Sequence, residues 1–217
     1  MQFALHYMFE DEGRARRFFQ ALGRHLRPGG AFIATTVDAR VVVELLAGLG
    51  KEDPATGACV ASLRDEEGRE LCRLQVDGET YAQLFRPVGS SSTAGVGGQE
   101  EEDGGEGEGG GRDPFCGLRY TFLLRDGTEA DGAADAVNAP EWLIPLPRLV
   151  ALAAECGLEL EWAQNFHELV MANRDKIDGG GGGGGNRGIR WLNWQGSISP
   201  AEWAIARIYV ALRFRRV

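Results

Sequence analysis

The chain lacks the patterns that announce metal or thiol chemistry. Its four cysteines, Cys59, Cys72, Cys116 and Cys156, form no CxxC pair and have no histidine at zinc-ligand spacing, so neither a zinc site nor a redox dithiol is expected. Scattered thiols without a secretory leader pattern read as residues of a reducing compartment. No apolar run approaches the ~20 residues needed to span a bilayer; the expectation is a soluble, intracellular protein with no membrane partner. Positive charge is scarce too, with 23 Lys and Arg against 32 Asp and Glu and a net charge of −9. A long basic track for duplex nucleic acid is thereby excluded, and an anionic polymer would have to be held at one end. No GxGxxG lies between a predicted strand and helix, so no phosphate-cradling glycine turn is legible.

What remains is ordinary globular material. The 217 residues are 43% hydrophobic and 25% charged, enough for one domain with a core. Two low-complexity segments, residues 89–113 and 179–188, stand outside it. The first contains QEEEDGGEGEGGGRD, with seven acids against one arginine, so the rest of the chain is close to neutral. The second is built on seven consecutive glycines. Both have too little apolar surface to offset chain entropy and read as disordered insertions.

Periodicity supplies the elements. QFALHYMF (residues 2–9) reads as a strand with a histidine and a tyrosine at its far end. Ala15, Phe18, Phe19, Leu22 and Leu26 then share one helical face. GAFIATTVD is a second strand, expected parallel to the first, and Asp38 caps the helix after it. ACVASLRDEEGRELCRLQV alternates around a turn as a hairpin, joined by LRYTFLL to make a small inserted sheet. PLPRLVALAAECG is a helix stopped by Gly157, and LELEWAQNF is a strand. SPAEWAIARI opens with a capping pattern, and IYVALRFRR is a final strand expected antiparallel at or near the sheet edge. The order predicts an α/β fold, the second half of a doubly wound sheet with an inserted β-subdomain.

Several separated segments now coincide. QFALHYMFE, PGGAFIATTVD, GLRYTF, DAVNAPEWLIPL, GLELEWAQNF and EWAIARIYVALRF resemble the C-terminal part of eukaryotic mRNA cap guanine-N7 methyltransferases, from Gln2 to the end. The HYxFE and DAVNxPEW segments are the most specific. The resemblance implies a class I, Rossmann-like methyltransferase fold that uses S-adenosylmethionine and acts on N7 of the terminal guanine of 5′-capped RNA. It points to Gln2 and Tyr7 as methyl-donor contacts. It points to His6, Glu141 and Tyr209 as contacts to the cap guanine, with Phe3 and Phe115 lining the pocket. It implies a nuclear location and association with other capping components. The donor-binding first half of the family's domain is not represented, and Thr128–Ala134 is an extra loop relative to the family pattern.

The residue chemistry suits that reading. Guanine N7 has an in-plane lone pair and no proton to lose, so no general base, nucleophile or metal is expected. Guanine shows N–H donors at N1 and N2, which one carboxylate can accept together, and charge-assisted bonds are about twice as strong as neutral ones. Glu141 has that chemistry. His6 can donate to guanine O6, and Tyr209 can stack on the ring. Blander readings stand beside these. Glu141 after a proline is a helix cap or dipole partner, His6 is a satisfied core histidine, and Tyr209 is core. His25, His167 and the five tryptophans read as structural. Two rival functions are a small-molecule methyltransferase of the same fold and a non-catalytic cap-binding or scaffolding piece.

Overall fold

The computed structural model describes residues 1–85, 116–125, 135–173 and 198–217. Helix α1 (Glu12–His25) begins at Asp11, whose side chain accepts a hydrogen bond from Arg14 N at 2.7 Å. Its buried face carries Ala15 and Phe19, four residues apart and both without exposure. The strand β1 (Ala31–Val37) follows, then α2 (Ala39–Leu49), capped by Asp38 as its sequence predicts. Further on, α4 (Leu146–Glu155) leads into β7 (Leu158–Asn165), and α6 (Pro200–Ala206) into β8 (Tyr209–Arg216). The turn after α4 needs Gly157 at φ 71°, a left-handed conformation open to glycine at little cost. Ser199 and Glu202 form the reciprocal capping box at the start of α6.

These three strands form one antiparallel sheet in the order β1-β8-β7. The last strand is antiparallel, as expected, and lies between β1 and the edge strand β7. Val210, Leu212 and Phe214 are all buried, and a strand that apolar is stabilised most where both neighbours pair with it. α1 and α4 cover the sheet through Phe19, Leu149, Leu152 and Phe214. Gly23 lets α1 come close to the end of α4, since a Cβ there would meet the Cys156 carbonyl oxygen at 2.5 Å.

The inserted β-subdomain is a second sheet of five antiparallel strands. In order they are β2 (Lys51–Glu52), β3 (Cys59–Arg64), β4 (Glu70–Val76), β5 (Arg119–Arg125) and β6 (Asp135–Trp142). Strand β4 buries every second residue, Glu70, Cys72, Leu74 and Val76, the period of a sheet with one wet face. That inner face packs on α2 and on Ile205 and Ile208. Two short helices were not legible in the sequence: α3 (Gly78–Leu84), capped by Asp77, and α5 (Phe166–Ala172), capped by Asn165 with Glu168. Both are seven residues long, too short for periodicity to register.

The opening segment departs from expectation. Only Gln2 pairs with β1, as a single parallel bridge to Thr35. Residues Leu5–Phe9 form a 3₁₀ turn rather than a strand. Leu5, His6 and Phe9 are buried while Tyr7 between them is only partly so, a pattern that strand alternation does not give. A backbone bond from Gly117 N to the Phe9 carbonyl at 3.1 Å ties this turn to the residues before β5, which Leu143 N, just after β6, joins through Leu118 O at 2.9 Å. The low-complexity segments 89–113 and 179–188, Phe115, the loop 128–134, Trp191 and Trp194 lie outside the described residues.

Candidate functional site

Glu141 on β6 stands opposite Tyr120 on β5 in the sheet register, and both turn inward. Glu141 is 4% exposed and Tyr120 1%. The Tyr120 hydroxyl donates a hydrogen bond to Glu141 Oε2. On the other side, Glu141 Oε1 lies 3.4 Å from Nε2 of His6, which the 3₁₀ turn buries. Although that approach is short, neither ring nitrogen of His6 has a hydrogen-bond partner among the described residues. Leaving a buried polar group unpaired costs about 1–3 kcal/mol, and such groups in native folds mark sites with another task. Glu141 is thus a strand residue in the sheet interior, and not a helix cap.

Burial sets the charges. It pushes the Glu141 carboxyl up to about 7, against the opposing effect of the Tyr120 hydrogen bond. It lowers the His6 imidazole to about 4. His6 is therefore neutral at neutral pH: the His6–Glu141 approach is a contact of a polar ring with a carboxyl group rather than an ion pair, and any donation by His6 comes from its neutral N–H. Tyr7 lies edge-on to His6, with ring centroids 4.3 Å apart. Desolvation and the nearby Glu141 raise its phenol. On β4, Cys72 is pushed up to about 12, chiefly by burial, so it stays a thiol.

A second group of rings adjoins the first. Tyr209, at the start of β8, meets Phe3 at 5.0 Å, Phe166 at 5.8 Å and Phe122 at 6.4 Å between centroids. Its hydroxyl is raised by burial first and by Glu141 second. Phe3 holds a φ of +49°, the one positive value at a non-glycine residue among the described residues, while 48% of it is exposed. A left-handed phenylalanine costs about 1–2 kcal/mol. Its N–H is held by both the carbonyl and the hydroxyl of Thr35, at 3.0 Å each. The same Thr35 hydroxyl donates to Gln2 Oε1 at 2.6 Å.

The fold thus brings His6, Tyr7 and Glu141 into contact, sets Tyr209 and Phe3 beside them, and holds Gln2 one step away. His167 is structural, stacked on Trp203 with centroids 3.8 Å apart and its Nε2 2.7 Å from the Trp203 carbonyl. Sequence reasoning passed over Tyr120, Phe122, Trp142 and Phe166. The first two carried a signal: in RYTFLL alternation puts Tyr120 and Phe122 on one face, and a buried tyrosine hydroxyl needs a partner. Trp142, 6.4 Å from Tyr7, and Phe166 had none.

A three-stranded sheet flanked by helices, extended by an antiparallel subdomain, with a polar and aromatic cluster at the carboxyl end of β1, is the frame of a class I, Rossmann-like methyltransferase domain. The family profile described as the mRNA (guanine-N(7))-methyltransferase domain matches residues 1–82 and 101–217. The chain belongs to that family. It is 30% identical over 222 residues to mRNA cap guanine-N(7) methyltransferase 1 of Arabidopsis thaliana, covering 99% of this chain and 46% of the relative. It is 27% identical over 217 residues to the mRNA cap guanine-N(7) methyltransferase of Cryptococcus neoformans, covering 100% of this chain and 27% of that one. The chain spans less than half the length of these relatives. A solved methyltransferase from Streptomyces caelestis aligns at TM-score 0.44 and 11% identity, over 100% of this chain and 58% of the other; the alignment informs neither substrate nor site.

Proposed function

We propose that this chain forms the guanine-reading wall of an mRNA cap guanine-N7 methyltransferase. The observation that carries the reading is the buried Glu141, opposed by Tyr120 and by a His6 ring whose two nitrogens are unpaired among the described residues. A guanine edge supplies what this cluster lacks: N–H donors for the carboxylate, and O6 as acceptor for the His6 N–H. Adenine, with an acceptor at N1, leaves the carboxylate unpaired, and such mismatches are rejected by large factors. Tyr209 and Phe3 supply ring surface for the base, worth about 1–3 kcal/mol in nucleic-acid sites.

Gln2, bridged to Thr35 of β1, and Tyr7, in the 3₁₀ turn that follows, are the residues that would hold S-adenosylmethionine. Their amide and phenol edges fit such a role. The donor supplies a sulfonium methyl; the chain's part is to hold the guanine plane still, an orientation effect worth up to ~7–11 kcal/mol in favourable systems. No residue need move a proton. In this reading the substrate is 5′-capped RNA, the partners are other capping components, and the compartment is the nucleus. Calorimetry with the unmethylated cap dinucleotide GpppA and with S-adenosylmethionine tests it. Binding of GpppA well above ApppA supports it, and equal binding of the two retires it. Cap binding with no donor binding selects a non-catalytic cap-binding role.

A further inference from the structure

Tyr120 has no task in the reading so far, yet it is the largest fully buried side chain among the described residues. It faces Glu141 directly across β5 and β6. Its hydroxyl occupies one lone pair of Glu141 Oε2, leaving the other lone pairs of both carboxylate oxygens to a ligand. A glutamate side chain otherwise turns freely about its last torsion, and a rotating carboxylate meets only one of two adjacent N–H donors at a time.

We propose that Tyr120 is a positioning residue for base recognition: its hydroxyl pins Glu141 so that both carboxylate oxygens present themselves together to the N1–H and N2–H donors of a purine. This rests on the cap-guanine reading above. The groups facing the carboxyl are Tyr120 from β5, His6 and Tyr7 from the 3₁₀ turn, Cys72 from β4 and Tyr209 from β8. Tyr7, Cys72, Tyr120 and Tyr209 all have raised pKa values and His6 a lowered one. Each therefore stays neutral around pH 7, so it is the carboxyl itself that titrates there. The Tyr120 hydroxyl stabilises its ionised, two-acceptor form.

The test is Tyr120→Phe, which removes one oxygen from a filled core position, with two readouts. The first needs no ligand: the ¹³C resonance of the Glu141 carboxyl is followed against pH. Its midpoint, about 7 in the parent, is expected to rise by at least one unit. The second is GpppA binding, whose acid limb is expected to move up by the same amount, with affinity recovering at high pH. Preference for GpppA over its inosine analogue, which lacks the 2-amino group, is expected to fall about tenfold. An unmoved carboxyl midpoint overturns the proposal. A moved midpoint with a parent protein that binds no cap supports the Tyr120–Glu141 coupling and retires the cap reading instead. Should Tyr120→Phe not fold, the Tyr120 Cζ resonance of the parent serves: it is expected to step at the Glu141 midpoint, and a flat trace overturns the proposal.

Discussion

Two carboxylates are buried in the same five-stranded sheet, and they live in opposite conditions. Glu70, 8% exposed, sits at the start of β4, where β5 and β6 bring Arg125 and Asp135. Desolvation pushes it up, but hydrogen bonds from Arg73 and Ser62, with the charges of Arg73 and Arg125, more than offset that, and its pKa is lowered. Glu141, 4% exposed, lies at the opposite end of β6, roughly 20 Å away at ~3.4 Å per residue. One phenol, Tyr120, donates to it, a neutral imidazole lies 3.4 Å away, and its pKa rises to about 7. A buried charge kept for structure is fully compensated. The one left short of partners is the one with capacity for a ligand, as perturbed groups at functional sites are.

The contrast can be broken in order of effect. The largest concerns recognition: Glu141→Gln puts an amide N–H against the base's donors and is expected to weaken GpppA binding about 100-fold, roughly 3 kcal/mol. Glu70→Gln leaves binding unchanged, as titration calorimetry on both variants will show. Stability reverses the order. Glu70→Gln is expected to lose about 2 kcal/mol in urea unfolding at pH 7, because charge-assisted bonds from Arg73 go with it.

For Glu141 the sign is opposite. Its folded pKa lies above its ordinary 4.5, so the folded state holds a proton that the unfolded chain releases. Stability therefore falls as pH rises from 4.5 to about 7, and the penalty is complete above that. Glu141→Gln carries no such penalty and is expected to be more stable than the parent by about 2 kcal/mol at pH 8, but not at pH 4. His6 runs the other way: its folded pKa of about 4 lies below its ordinary 6.5, so its contribution to stability grows with pH across that window and is complete above it. A parent protein more stable than Glu141→Gln at pH 8 would count against the contrast. The smallest effect belongs to the exposed ring. Phe3→Gly relieves the positive φ and is expected to change stability by less than ~1 kcal/mol while weakening cap binding several-fold.

How far the sequence could be read follows the same physics. The longer helices α1, α2 and α4 were visible from their apolar spacing, α2 also from its cap Asp38, and the seven-residue α6 from its Ser199–Glu202 capping pattern alone. The hairpin of β3 and β4 was visible because its inward face alternates. The 3₁₀ turn was missed because QFALHYMF is apolar enough for a strand, and only the burial of the adjacent Leu5 and His6 breaks the alternation. The central place of β8 depends on which neighbours pair with it, and no local pattern carries that. In the site, Glu141 and His6 stood out only through the resemblance of their segments to a family; alone, each had a blander explanation. Tyr120 looked like any strand tyrosine, since its partner lies 21 positions on in the chain.

The central claim is that a guanine's donors engage the Glu141 carboxylate. Recording the Glu141 carboxyl ¹³C titration with and without saturating GpppA tests it most directly. Bound donors favour the ionised form, so the midpoint is expected to drop from about 7 to below 5 with the cap, and to stay put with ApppA. A midpoint near 7 in the cap-saturated protein would contradict the account.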